Sequence, residues 1–214
     1  MSVQAVIFDM DGLLMDSEGI GLTVMHACGF LQGKDIPVPL IRETIGANSQ
    51  AASEMYRAFD AQIDTEKLFR DFSASMQALA REGKIPLKKG ATELLSALKE
   101  KGVPCAVASS SGIKTIEVYL RSAGIKQAFS ALVTASGLPS KPAPDVFLKA
   151  AQALHAAPDR CLVLEDSVNG VKAGRAAGMT VCMVPDLIPF TETLRPYCDH
   201  VLDDLAAVIP LLDA

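Results

Sequence analysis

The sequence predicts an α/β fold: a parallel β-sheet sandwiched by helices, with an all-helical insertion after its first strand. Three observations carry this. A short block of β-branched and aromatic residues, 3–8, ends in Asp9-Met10-Asp11-Gly12. From about residue 90 helix and strand patterns alternate, which implies parallel strands joined by crossover helices. Between about residues 17 and 83 there is no convincing strand, and apolar residues recur at helical spacing.

The first block is apolar throughout, as expected of a strand buried on both faces. The insertion shows helical stripes at Ala52, Met55, Tyr56 and Phe59, then at Leu68, Phe69, Phe72, Met76 and Leu79, with breaks at 33–39, 46–49 and 60–64. Residues 90–100 form a helix with Leu94, Leu95 and Leu98 on one face and Gly102 as its stop. A buried strand follows at 103–108, a helix at 113–123 ending at Gly124, and a short strand at 131–134. Residues 144–155 are a helix with proline in the first turn. Residues 161–164 are again a strand, 168–177 a helix and 179–184 a strand. The expected units are therefore a core of 1–16 and 84–214 and a helical module of 17–83.

Composition bounds the class. Half of the 214 residues are hydrophobic and 21% are charged, so the chain builds a sizeable core. No apolar run approaches the roughly 18 residues that span a membrane. The first residues carry no basic region or cleavage-site pattern, which predicts a protein that is not secreted. Five cysteines, an odd number without a C-x-x-C pair, point to reduced thiols in the cytoplasm and away from a zinc site. A net charge of −5 and the absence of Trp and of any basic stripe give no sign of nucleic-acid binding.

Chemistry gathers at four strand ends. Asp9 and Asp11 lie where a buried strand leaves the sheet, the edge at which open α/β folds bind ligands. Two carboxylates this close repel unless a cation lies between them or one keeps a proton. A strand followed by an acidic turn is the alternative for this segment alone. A calcium loop is excluded, because Gly12 is fourth from Asp9 and not sixth. Ser109-Ser110-Ser111-Gly112 leads from a strand into a helix, which is either an anion site or a set of helix caps. Lys141, stiffened by Pro142 and Pro144 ahead of a helix, is a candidate fixed charge for a phosphate, although lone lysines are ordinary surface residues. Glu165 and Asp166 end a further strand. With Asp9 and Asp11, Asp166 would make an oxygen-rich site for a hard cation such as Mg²⁺, unless it is simply a helix cap.

These four motifs in this order resemble the haloacid dehalogenase-like superfamily. The runs Phe8-Asp9-Met10-Asp11-Gly12-Leu13-Leu14-Met15-Asp16-Ser17-Glu18, Lys141-Pro142-Ala143-Pro144-Asp145 and Gly170-Val171 to Gly178-Met179 are similar to its beta-phosphoglucomutase-like branch. The resemblance implies a Rossmann-like core with a helical-bundle cap. It implies Asp9 as the nucleophile that forms an aspartyl-phosphate and Asp11 as the general acid and base. It implies Mg²⁺ held by the Asp9 carboxylate, the Asp11 carbonyl and Asp166, with Glu165 as a further ligand or close support. Ser109, Lys141 and the N–H groups of Ser110 and of the 9–11 loop would hold the phosphoryl oxygens.

Three departures bear on the reaction. Where the mutases have a histidine in the first cap-linker helix, this chain has Gly21. Their substrate-gripping arginine after the cap G-x-S element is missing from Gly46-Ala47-Asn48-Ser49. Their S-x-S-x-N motif reads Ser109-Ser110-Ser111-Gly112-Ile113. An acid at Asp11 speaks for phosphate esters, since the superfamily's dehalogenases and phosphonatases lack it. We therefore expect a phosphatase of small phosphorylated metabolites, chiefly sugar phosphates, acting as a monomer, with Gly46, Ala47, Asn48 and Ser49 reading the leaving group. A phosphohexomutase and a catalytically silent binding module are the alternatives. Lys88 and Lys89, where the chain returns to the core, read as a solvated pair, and His26 and His155 receive no role.

Overall fold

The computed structural model describes residues 3–45, 47 and 49–213. Six parallel strands form one sheet: β1 (Ala5–Phe8), β2 (Cys105–Ser109), β3 (Ala131–Thr134), β4 (Cys161–Glu165), β5 (Thr180–Met183) and β6 (His200–Val201). Their order is β3-β2-β1-β4-β5-β6, so the chain winds outward one way from β1 and then the other. The crevice where the order reverses lies at the carboxyl ends of β1 and β4, the position that favours a ligand.

The strands feed two layers by simple alternation. Val6 and Phe8 of β1 face a core with Leu94 and Leu98 of α5 (Ala91–Lys101), Ile116 and Leu120 of α6 (Ile113–Ser122), and Val208. Ala5 and Ile7 face the opposite core, with Val146, Phe147 and Ala150 of α7 (Asp145–Ala153) and Ala173 of α8 (Val168–Ala176). β1, β2 and β4 are buried on both faces, which is why they read as largely apolar runs.

Between β1 and α5 the described residues form four helices: α1 (Glu18–Phe30), α2 (Val38–Glu43), α3 (Ser49–Phe59) and α4 (Thr65–Arg81). Leu22, Met25, Ile41, Ala52, Tyr56 and Leu68 make their separate core. The insertion leaves and rejoins the sheet at one place. Asp16 N–H donates to Pro86 O (2.9 Å) and Lys88 N–H to Leu14 O (3.0 Å), so the two connecting segments lie side by side.

Several boundaries differ from the sequence expectation. β2 starts at Cys105 and not at 103, and α7 starts at Asp145, with Pro144 as the residue before it. α7 also stops at Ala153, short of His155, which takes φ 54°. Phe59, expected on the buried stripe of α3, is 46% exposed.

Candidate active site

Asp9 follows β1 directly, and its N–H extends the sheet by donating to Leu164 O (3.0 Å). The chain then turns tightly, with Leu14 and Met15 N–H groups both donating to Met10 O. Gly12 makes the turn possible. It holds φ 80°, and a Cβ there would lie 2.3 Å from Asp166 Oδ2. The turn thereby brings Asp9, Asp11 and Asp166 together.

The Asp11 carboxylate is held by two hydroxyls: Ser17 Oγ donates to Oδ1 (3.0 Å) and Ser111 Oγ to Oδ2 (2.9 Å). Ser109, 1% exposed at the end of β2, accepts the Ser111 N–H at 3.0 Å, which leaves its own O–H free to donate. Thr134 at the end of β3 donates to Ser111 O (2.8 Å) and so fixes that turn.

Lys141 reaches in from the loop before α7. Its ammonium donates to Asp9 Oδ1 (2.5 Å), Glu165 Oε1 (2.6 Å) and Ala108 O (3.3 Å), and lies 4.7 Å over the Phe147 ring. Burial works against the charge, but the two carboxylates outweigh it and hold the lysine pKa above its ordinary value. Glu165 Oε2 accepts from the N–H groups of Asp166 and Ser167 and from Ser167 Oγ, each at 3.0 Å. Both Glu165 oxygens are thus engaged by the protein. Of the two roles expected for it, this geometry matches support of Lys141 and of the β4–α8 turn.

Burial dominates the electrostatics. It pushes the Asp9 pKa up to about 7, offset in part by Lys141 and reinforced by Glu165 and Asp11. Asp11 is raised by burial against the lowering pull of Ser111 and Ser17. Asp166 is raised by burial first, then by Glu165, Asp9 and Glu18, and its Oδ2 is buried without a hydrogen-bond partner. Crowded carboxylates and an oxygen without a partner among the described residues are a donor set that would suit a cation. Among the described residues no three His, Cys, Asp or Glu side chains form a ready metal cluster. Two carboxylates and a backbone carbonyl are the donors that match a hard divalent ion here.

A cleft of about 560 Å³ is lined by Asp9, Asp11, Ser109, Ser110, Lys141 and Asp166. A second of about 440 Å³ adjoins it on the side of the helical insertion and shares Asp11, Glu18 and Ser110 with it. Ala47 and Ser49 line both, whereas Gly46 and Asn48 lie outside the described residues. Lys141 is the one Lys, Arg or His among the described residues lining either cleft. Lys88 and Lys89 line neither, and Lys88 is not the solvated residue expected: it bridges Asp186 (2.6 Å) and Asp16 (3.6 Å) and is 22% exposed. His26 meets Ile36 O at 2.8 Å, away from both clefts.

Sequence reasoning gave no role to Ser17, Ser111 as an Asp11 ligand, Thr134 or Glu18. Glu18 lines both clefts, and its pKa is pushed up to about 7 by burial and then by Asp186, Asp11 and Asp9. A hydroxyl and an acid directly after the D-x-D-G turn were the available signal.

The reversal point of a parallel α/β sheet thus gathers two aspartates, a lysine and an acidic strand end. The family profile of the haloacid dehalogenase-like hydrolases matches residues 3–178, and the chain belongs to that family. It is 34% identical over 191 residues to hexitol phosphatase B of Escherichia coli (strain K12), covering 86% of this chain and 84% of that one. It is 33% identical over 203 residues to the bifunctional riboflavin kinase/FMN phosphatase of Arabidopsis thaliana, covering 94% of this chain but 53% of that protein's length. The structure of CbbY from Rhodobacter sphaeroides in complex with phosphate superposes with a TM-score of 0.83 at 24% identity, covering 99% of this chain and 100% of that one.

Proposed function

We propose that this chain is a Mg²⁺-dependent phosphatase of small phosphorylated metabolites, sugar phosphates above all, working through an aspartyl-phosphate. The observation that carries this is the single cation. Among the described residues, two joined clefts, together large enough for a phosphorylated sugar, offer Lys141 alone to oppose negative charge. One phosphoryl group can be neutralised there. A mutase must also hold a second phosphate, and nothing among the described lining residues would pair with it. The names of the curated relatives support the same class of reaction.

In the first half-reaction an Asp9 carboxylate oxygen attacks phosphorus as the bond to the leaving oxygen breaks. Asp11 gives that oxygen its proton; its raised pKa supports this role. In the second half-reaction water attacks phosphorus, Asp11 takes the water's proton, and the acyl-phosphate bond breaks to release inorganic phosphate and restore Asp9. The Ser109 hydroxyl, the Ser110 N–H and the N–H groups of the 9–11 loop would bind the phosphoryl oxygens while Lys141 offsets their charge. The Asp9 carboxylate, the Asp11 carbonyl and Asp166 would hold Mg²⁺, which when bound supplies further positive charge to the transferring group. In this reading residues 17–83 are the cap and 1–16 with 84–214 the core.

The test is release of inorganic phosphate from a panel of sugar, polyol and nucleotide monophosphates, with and without Mg²⁺. Release that needs Mg²⁺ and vanishes in Asp9→Asn is expected. Conversion of a hexose 1-phosphate to the 6-phosphate without free phosphate would instead establish a mutase.

A further inference from the structure

We propose that Glu18 selects the leaving group, by accepting a hydrogen bond from a hydroxyl beside the phosphoester bond. The preferred substrate is then a monophosphate of a polyol or sugar and not of a plain alkyl or aryl alcohol. This rests on the phosphatase reading above and adds to it a residue that reads the substrate.

Position is the first argument. Glu18 is the first residue of α1 and lines both clefts, so it lies where a phosphate at Asp9 would continue into its alcohol. The second argument is an unmet hydrogen bond. Glu18 lines the clefts, yet its Oε2 is buried with no hydrogen-bond partner among the described residues. Buried polar atoms are nearly always paired, and an exception at the junction of two clefts points to a partner that arrives with the substrate. The third argument is the kind of donor. Lys88, on the returning connection, is already engaged by Asp186 and Asp16. The cap-side cleft has no Lys, Arg or His among its described lining residues, but it does have apolar surface from Leu22 and Phe72 and hydroxyls from Thr44 and Ser73. A neutral partner with C–H faces and O–H donors matches that wall. A second phosphate would meet Glu18 as a like charge.

The experiment compares a matched pair of esters, hexitol 6-phosphate and n-hexyl phosphate, by kcat/KM for phosphate release. In wild type the hexitol ester is favoured. Glu18→Ala should lower the ratio of the two values by about 10- to 100-fold, the worth of one hydrogen bond to a charged group. Glu18→Gln, whose amide oxygen still accepts, should lower it by only a few-fold. The Mg²⁺ concentration for half-maximal rate should stay equal for the two esters in each variant. Equal loss on both esters, with the ratio unmoved, would overturn the proposal and assign Glu18 a structural or metal-linked role. If Glu18→Ala does not fold, an unmoved ratio in Glu18→Gln overturns it alone. Release of phosphate from neither ester by wild type would remove the phosphatase reading, and this proposal with it.

Discussion

Replacing Gly170 by alanine tests whether Glu165 is a packed support of the site. Gly170 lies in the first turn of α8, and a Cβ there would lie 1.8 Å from Glu165 Cδ and 1.9 and 2.1 Å from its two oxygens. No small adjustment clears that overlap, so the carboxylate must leave. It would give up its bonds from Asp166 N–H, Ser167 N–H and Ser167 Oγ and its contact with Lys141, all within 3.0 Å. Breaking a buried pair costs about 3–5 kcal/mol. Alanine regains roughly 1 kcal/mol of helix propensity, leaving a net loss of about 2–4 kcal/mol. For a chain of this length that corresponds to a fall in Tm of roughly 5–15 °C. Gly19→Ala is the internal control: it is in α1, nothing lies within 4 Å of its would-be Cβ, and it should stabilise by about 0.5–1 kcal/mol. Thermal melts of both variants, with phosphate release measured beside them, decide the matter. A Gly170→Ala protein with wild-type Tm and activity would refute the account of Glu165.

Lys141→Met leaves Asp9 and Glu165 buried with no cation, so we expect a loss of about 3–5 kcal/mol in a denaturant melt and phosphate release below detection. Ser111→Ala removes a hydrogen bond that lowers the Asp11 pKa, so the limb of the pH–rate profile set by Asp11 should move to higher pH. Stability should fall with rising pH in EDTA. Asp9 and Glu18 go from 3.8 and 4.5 to about 7 on folding, so between about pH 4 and 7 the folded form binds more protons than the unfolded chain. The cost of burying these carboxylates is absent below that window and complete above it. The lowered pKa values of Asp60, Glu117 and Asp204 act in the opposite direction, but each comes chiefly from one ion pair at the surface, where solvent screens it. Mg²⁺ should therefore raise Tm more at pH 8 than at pH 5, and a Tm in EDTA that climbs from pH 5 to pH 8 would contradict this.

What could be read from sequence follows from how locally each feature is encoded. β1, β2 and β4 are buried on both faces, so their apolar runs are visible without knowing their neighbours. β6 has two partly buried residues, His200 and Val201, and no run to detect. Met76 and Ala80 of α4 join the core beneath the sheet while Leu68 of the same helix joins that of the insertion, a division that periodicity cannot show. The site was legible where a parallel topology forces convergence, since Asp9, Ser109 and Asp166 each end or follow a strand of one sheet. Lys88 and Glu18 were not, because their surroundings come from the loop after β5: Asp186 pairs with Lys88, and Leu187 meets Glu18. Nothing near either residue in sequence announces that loop.

The charges of the site bear on the separate roles proposed for its residues. Asp9, Asp11, Glu165 and Asp166 converge with one ammonium, and Glu165 holds part of that ammonium's charge to itself. A phosphate dianion entering such a site would be repelled unless a divalent cation offset Asp9 and Asp166 and Asp11 carried a proton. In the proposed mechanism the two requirements fall to different atoms. Asp166 Oδ2 is buried with no hydrogen-bond partner among the described residues, whereas both Asp11 oxygens are already held by Ser17 and Ser111. Asp11 thus serves the proton and Asp166 the cation, and the Ser17 and Ser111 hydroxyls, which draw the Asp11 pKa back down against burial, would set the pH at which that proton is given up.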